Sequence, residues 1–230
     1  MAVNVDTVYK TVLLILNQQQ RGYMTPDEFN KVATQVQLNI FETYASDLNQ
    51  QYRLPDNNTE YGNRVKNIEQ KLQFFQRTGA TAYVGPHFTI TPTDVYRLGS
   101  VFYRDTELTQ YAQRNELRQI SLSPLTQPTT NFPIYLYENN LLYVYPTSIQ
   151  ADITISYLKT PSDIQWAFTT GAQGQYLYNA AGSTDFELDI SEQTEIILRI
   201  LAYAGVIIQD PTIIQVASQA VATEDANEKQ

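Results

Sequence analysis

Few side chains of this sequence could take part in catalysis. The chain has one histidine, His87, and no cysteine. A single histidine without cysteine ligands does not make a typical zinc site, and no Gly-x-Ser-x-Gly motif supplies a serine nucleophile. The stretch Gly171-Ala172-Gln173-Gly174 lacks the lysine and the following helix of a phosphate-binding loop. We therefore predict that the protein is not an enzyme and that it binds no cofactor or metal.

The best candidate for a charged site is a row of acids, Asp185, Glu187 and Asp189. Alternate residues of a strand share a face, so these carboxylates are predicted to lie on one face of a strand. Their side chains would be about 6.5–7 Å apart, which is too far for one calcium ion without further ligands. The preferred interpretation is an acidic face that contacts solvent or a partner, or that lines a channel.

The net charge of −9 is unevenly distributed along the sequence. Residues 1–118 contain 12 basic and 12 acidic residues, whereas residues 119–230 contain three basic and 12 acidic residues. Phosphate backbones are bound mainly by lysine and arginine, so the second half is not expected to grip nucleic acid. It would suit a basic protein surface, or a passage through which DNA must slide.

Tyrosine is the most conspicuous residue type, with 17 copies in a chain whose charged fraction is 17%. The segments 134–138 and 141–145 flank Asn139-Asn140, a typical two-residue hairpin turn. Tyr135 and Tyr137 share a strand face, as do Tyr143 and Tyr145. One face is interpreted as a tyrosine platform that packs against the helices or a neighbouring subunit. Stacking of a carbohydrate or a base is the alternative.

The helical predictions fall at the two ends of the chain. Apolar residues at helical spacing from 5 to 16 predict a first helix, which Gly22 ends, and the same spacing predicts helices from 26 to about 50 and from 61 to about 77. Thr25 and Glu28 form a capping-box pattern before the second helix. Helices return near residue 191 and again from 211 to about 221. The polar tail that contains Glu224, Asp225 and Glu228 is predicted to be mobile and to contact a partner.

Between these ends the apolar period changes to two. Strands are predicted at 81–90 (with a turn signal at Gly85-Pro86), 95–104, 134–138, 141–145 and 151–158. A last hairpin joins 175–178 to 184–190 through Ala181-Gly182. The predicted fold class is α+β. A helical bundle of the N- and C-terminal helices carries an inserted antiparallel β layer, either a sandwich or a meander. The predicted parts are 1–80 (helical), 81–190 (β insertion), 191–222 (C-terminal helices) and 223–230 (tail).

Several segments resemble a family of virion proteins. Residues 3–12 (VNVDTVYKTV), Arg21-Gly22-Tyr23 and 25–30 (TPDEFN) are similar to ring or neck proteins of short-tailed, crAss-like bacteriophages. Similarity extends to 91–97 (TPTDVYR) and to 142–146 (LYVYP) with 153–157 (ITISY). The order of helices, strands and helices also resembles that of phage head–tail connectors and adaptors.

The resemblance implies a structural protein of the virion neck or tail, assembled in the host cytoplasm. Its expected partners are further copies of itself in a ring of twelve, the portal, and neighbouring neck or tail proteins. DNA would be a non-specific cargo of the central channel. The longest early apolar run, Val12–Leu16, is too short for a membrane span, so no membrane contact is expected. The alternative is an aromatic-rich carbohydrate-binding or adhesive surface module.

Overall fold

The computed structural model describes residues 2–18, 23–51, 59–208 and 211–228. Within these ranges the chain is a mixed α+β protein, as predicted. The six α-helices of the described residues are α1 (Val5–Gln18), α2 (Pro26–Gln51), α3 (Thr59–Leu72), α4 (Arg114–Leu122), α5 (Gln193–Ile208) and α6 (Pro211–Glu228). Its strands are β1 (Ala2–Val3), β2 (Gln76–Val84), β3 (His87–Ile90), β4 (Val95–Tyr103), β5 (Glu107–Leu108), β6 (Gln110–Tyr111), β7 (Ile134–Glu138), β8 (Leu141–Tyr145), β9 (Ile153–Lys159), β10 (Phe168–Thr170), β11 (Tyr176–Tyr178) and β12 (Phe186–Asp189).

The chain divides into two compact units. Unit 1 contains Met1–Phe74 and Pro161–Gln230, and unit 2 contains Phe75–Thr160. Unit 2 is therefore an insertion in the sequence of unit 1. The boundaries of these units differ from those of the predicted parts. Residues 161–190, which were assigned to the β insertion, belong to unit 1.

Unit 2 is built on one eight-stranded sheet in the order β5-β4-β9-β2-β3-β8-β7-β6. Neighbouring strands are antiparallel except β6 and β7, which are parallel. The two end strands, β5 and β6, are separated in the chain by Thr109 alone, so the sheet must curl until its ends meet. Thr109 fixes this junction because both its amide and its hydroxyl donate to the carbonyl of Val101, at 2.9 and 2.8 Å.

The curled sheet encloses an apolar core. The core takes side chains from five strands and the connection before β9: Phe88, Val101, Tyr103, Tyr135, Leu142, Val144, Ile149, Ile153, Ile155 and Tyr157. Helix α4 covers the other face of β7, where Leu117 packs with Ile134 and Leu136. Burying one such aliphatic side chain stabilises a fold by about 1.5–3 kcal/mol, so this core accounts for the compactness of unit 2.

The β7–β8 hairpin has the predicted boundaries. Asn139 and Asn140 have φ values of 52° and 59°, the left-handed conformation that asparagine tolerates in a two-residue turn. Strand β9 also confirms the predicted alternation, with Ile153, Ile155 and Tyr157 buried.

The start of the sheet differs from the prediction. The third helix ends at Leu72 rather than near residue 77, because Gln76 already pairs with Leu158 of β9. The predicted strand 81–90 is two strands, β2 and β3, with a turn at Gly85-Pro86. Helix α4 was not predicted. The end of the third helix is set by long-range pairing between β2 and β9, which local periodicity does not show.

Unit 1 confirms the predicted helix start at residue 26. The Thr25 amide donates to Glu28 Oε2 at 2.9 Å, and the Glu28 amide donates to Thr25 Oγ1 at 3.4 Å. The prediction that Gly22 ends the first helix lies outside the described residues. The largest fully buried side chains described in unit 1 come from helices and from β12, and they are Leu16, Phe29, Ile40, Phe41, Leu72, Phe186, Leu188 and Ile196.

The predicted hairpin between 175–178 and 184–190 is wrong. Strand β11 pairs with β10, and β12 pairs with β1 near the start of the chain. The turn expected at Ala181-Gly182 is a short 3-10 helix, Ala180–Gly182. The observed pairings and the predicted hairpin fit the same alternation of side chains, so the sequence pattern alone does not distinguish between them.

Candidate interaction surfaces

The four tyrosines of the β7–β8 hairpin lie on two faces. Each is paired across the strands with an aliphatic residue rather than with another tyrosine. Tyr135 and Tyr137 pack in the core of unit 2, and Tyr143 and Tyr145 pack on the α4 side. The sharing of faces within each strand is as predicted, but a four-tyrosine platform is not formed. Burial of Tyr135 raises the pKa of its hydroxyl. Because Tyr135 is buried, only the other three tyrosines of the hairpin could contact a partner.

The acids of the 185–189 row have structural roles within unit 1. Asp185 Oδ1 accepts from the Val5 amide at 2.8 Å and so holds the start of α1. Glu187 accepts from the amide and the hydroxyl of Ser162, at 3.1 and 3.0 Å. A hydrogen bond from the Ile190 backbone lowers the pKa of Asp189. In the described ranges no group of three acidic or histidine side chains could hold a metal ion.

The C-terminal acids lie on a helix. Helix α6 continues to Glu228, so the predicted end near residue 221 is wrong, since neither proline nor glycine interrupts the sequence there. Glu224, Asp225 and Glu228 therefore have helical backbones. Their contact with a partner and the mobility of the tail stay predictions, and Lys229 and Gln230 lie outside the described residues.

An exposed aromatic surface, which the sequence interpretation missed, lies on strands β10 and β11. We call residues 168–178 the aromatic hairpin. Phe168, Tyr176 and Leu177 are between 40% and 49% exposed. The rings of Phe168 and Tyr176 meet edge to face with their centroids 4.5 Å apart. Phe168 and Tyr176 lie on one face of the hairpin and Leu177 lies on the other, because Phe168 pairs with Tyr178 and Thr170 pairs with Tyr176. All three large side chains are partly exposed to solvent.

Trp166 anchors the base of the aromatic hairpin. Its buried backbone amide donates to Asn30 Oδ1 at 2.7 Å, and its indole Nε1 donates to Asp6 Oδ1 at 3.1 Å. Its ring lies 4.5 Å from that of Tyr9. A two-stranded hairpin is at best marginally stable alone. The anchor lets unit 1 present the exposed rings from a fixed base.

A second exposed apolar surface lies in unit 2, in the turns that follow α4. We call residues 122–133 the proline-rich segment because Pro124, Pro128 and Pro133 lie in it. Leu122, Leu125 and Phe132 are 84%, 97% and 79% exposed. Backbone hydrogen bonds of Thr126 and Gln127 to the Ser123 carbonyl, at 3.2 and 3.0 Å, form its first turn. The segment therefore has a defined conformation while its apolar side chains face solvent.

The distribution of charge distinguishes these two surfaces from the rest of the chain. The two longest stretches without a charged residue are 164–184 and 119–137, and they contain the aromatic hairpin and the proline-rich segment. Unit 2 has six basic and six acidic residues, whereas unit 1 has nine basic and 18 acidic residues. The whole net charge of −9 thus belongs to unit 1. Charge-free stretches are visible in the sequence, but the exposure of their apolar side chains is not.

A buried ionic network joins three helices of unit 1. Glu192 accepts a short hydrogen bond from the Tyr44 hydroxyl and pairs with Lys71 Nζ at 3.1 Å. Burial alone would raise the pKa of Glu192, but the Tyr44 hydrogen bond and the Lys71 charge together lower it. On α5, Arg199 pairs with Glu195 and donates to Asn39 at 3.2 Å. The network therefore links α2, α3 and α5.

His87 lies in the sheet of unit 2. It is a half-buried residue of β3, and its ring lies 5.6 Å from the ring of Tyr143. Within the described residues it makes no hydrogen bond to a serine, threonine or carboxylate. No helix of the described ranges has the length and apolarity needed to cross a membrane.

No protein-family model matches the chain, and no curated protein matches its sequence.

Proposed function

We propose that this protein is a virion structural subunit that assembles with copies of itself into a ring in the neck or tail of a phage. The observation that carries the proposal is the pair of exposed, charge-free apolar surfaces, one in each unit. A subunit with two different contact surfaces can bind one neighbour with each. Such head-to-tail contacts close into a ring when the rotation between copies allows it.

The composition of the two surfaces supports a contact with protein. Interface cores are poor in charged residues and rich in aromatic residues, and both stretches fit this description. A side chain such as Leu125, which is 97% exposed, gains stabilisation only when a partner covers it. Large exposed apolar patches on a subunit are typical of association sites.

The charge distribution supports a passage for DNA. Neither the neutral unit 2 nor the acidic unit 1 has the excess of lysine and arginine that retains a phosphate backbone. The ring would join the portal to the tail and let DNA slide, in line with the sequence resemblance to neck proteins. Its partners would be the portal and adjoining neck or tail proteins.

Reconstruction of virions by electron cryomicroscopy tests the proposal, with mass photometry of the purified protein as a second measurement. We expect one cyclic array of this chain at the neck or tail, and multiples of the 26.2 kDa subunit mass where the ring forms without a portal. Isolated copies on the capsid surface, or absence from the virion, would refute it. The variant His87→Ala should assemble normally, because no catalysis is required.

A carbohydrate-binding or adhesive module is the second candidate. The observation in its favour is the pair of exposed rings of Phe168 and Tyr176, rather than the tyrosines of β7 and β8. A glycan array with the wild type and with Tyr176→Ala distinguishes the two functions. Binding of a glycan by the monomer, lost in the variant, would favour this candidate over the ring.

A further inference from the structure

We infer that the aromatic hairpin of one copy binds the proline-rich segment of the next copy. This inference rests on the proposed function and names the two surfaces that would meet in the ring. The contact is heterologous, because the surfaces differ and each copy uses both.

Electrostatics selects this pairing over contact between two hairpins. The hairpin belongs to unit 1, which has the whole net charge of −9, and the proline-rich segment belongs to the neutral unit 2. A hairpin-to-hairpin contact would bring two strongly acidic units together, and like charges repel. A hairpin-to-segment contact places an acidic unit against a neutral one. Neither stretch contains a charged side chain that the contact would have to desolvate.

The chemistry of the two surfaces is complementary. The segment offers the exposed side chains of Leu122, Leu125 and Phe132, at the end of α4 and in the turns that follow it. The hairpin offers the aromatic rings of Phe168 and Tyr176, and interface cores are rich in such apolar and aromatic side chains. Both partners already have a fixed backbone, through the Trp166 anchor and through the turn at Ser123. Such preorganisation lowers the entropy cost of binding.

A strongly acidic or strongly basic protein is the competing partner for these two surfaces. A basic partner would be attracted to the carboxylates of unit 1, and an acidic partner would be repelled by them. Neither has a charged group to meet within residues 164–184 or 119–137. A second copy of this chain supplies an uncharged apolar surface for each of these stretches.

Two complementary variants test the pairing. Tyr176→Asp disables the hairpin and Leu125→Asp disables the segment, and both positions are exposed, so the fold should be preserved. Each variant alone should lose self-association by at least about tenfold, because a charge is buried in an apolar contact. An equimolar mixture retains one intact pair of surfaces, so native mass spectrometry should show a 1:1 dimer and no larger species.

Matched controls use exposed apolar residues outside both stretches. Leu14 of unit 1 and Val84 of unit 2 are 58% and 55% exposed. Leu14→Asp and Val84→Asp add the same charge and should assemble like the wild type. Assembly lost equally in all four variants would show a general effect of added charge and would overturn the inference.

Cysteine crosslinking locates the contact independently, because the chain has no cysteine of its own. Copies that carry both Tyr176→Cys and Leu125→Cys should form a ladder of disulfide-linked multimers in assembled particles, whereas either single variant should not. Dimers from Tyr176→Cys alone would show that hairpins meet, and would overturn the inference while leaving the ring intact. A protein that forms no cyclic array in the virion would instead refute the proposed function.

Discussion

The two units stabilise their interiors by different means. Among the described residues, the buried charged side chains, Glu192 and Glu195, belong to unit 1, and the buried polar residue of unit 2 is the uncharged Thr109. The core of unit 2 consists of aliphatic and aromatic side chains enclosed by a curled sheet. Unit 1 packs helices around apolar residues and also around ion pairs.

Because of this difference, the stability of the two units should respond differently to pH and to substitution. An apolar core depends on volume and area, which are insensitive to pH. A buried ion pair depends on both partners, since removal of one leaves the other charged and desolvated. The single tryptophan, Trp166, belongs to unit 1, so its fluorescence reports that unit. Hydrogen exchange of the β2–β9 amides reports unit 2.

The largest effect is expected in the core of unit 2. Leu142→Ala removes a fully buried side chain and should lower the free energy of unfolding by about 2–5 kcal/mol. Hydrogen exchange at increasing urea concentration measures the loss, which should be similar at pH 5 and pH 8. The control Leu108→Ala changes an exposed residue of β5 and should have little effect. Equal losses in the two variants would contradict the assignment of the core.

The next effect concerns the ionic network of unit 1. Lys71→Met keeps an unbranched side chain of nearly the same length and leaves the Glu192 carboxylate without its cation. We expect a loss of about 3 kcal/mol, at the low end for buried pairs, because Lys71 is 25% exposed. Urea unfolding followed by Trp166 fluorescence measures it.

A matched control for Lys71 is Lys31, whose pair with Asp27 is exposed. Lys31→Met should leave the unfolding curve unchanged. The double variant Lys71→Met with Glu192→Gln should recover part of the lost stability, because no uncompensated charge is then buried and the amide oxygen can still accept from the Tyr44 hydroxyl. Without such recovery, the Lys71 effect would reflect packing rather than charge.

Acid should weaken unit 1 before unit 2. The pKa of Glu192 in the folded chain is below its ordinary value of 4.5. Its ionised form therefore stabilises the fold above about pH 4.5, and this contribution is lost as the pH falls through the folded pKa. Trp166 fluorescence should show the urea midpoint falling between pH 5 and pH 3. In Glu192→Gln the urea midpoint should fall less over this pH range. An unchanged fall would assign the effect to other carboxylates.

The sequence predicted features that depend on neighbours along the chain. The Thr25–Glu28 capping box and the turn at Asn139-Asn140 are local and were confirmed. The partners of β10, β11 and β12 depend on contacts between distant segments, and the predicted pairing was wrong. The Lys71–Glu192 pair likewise forms only when α3 meets the start of α5. Exposure of Leu125 could not be foreseen, because leucine is most often buried.

The smallest effect is expected for the Arg114–Glu138 ion pair, the counterpart in unit 2 of the Lys71–Glu192 pair in unit 1. Arg114 and Glu138 form a two-bond contact, with Arg114 Nε 2.9 Å from Glu138 Oε1. This contact raises the pKa of Arg114 and lowers that of Glu138, in the direction seen for Glu192. Here, however, the side chains are 62% and 36% exposed, so water screens their attraction and holding them together costs side-chain entropy. Arg114→Ala should therefore leave the unfolding of unit 2 unchanged within error, at low and at high salt. A loss as large as that of Lys71→Met would show that the geometry of an ion pair, and not its burial, sets its contribution in this protein.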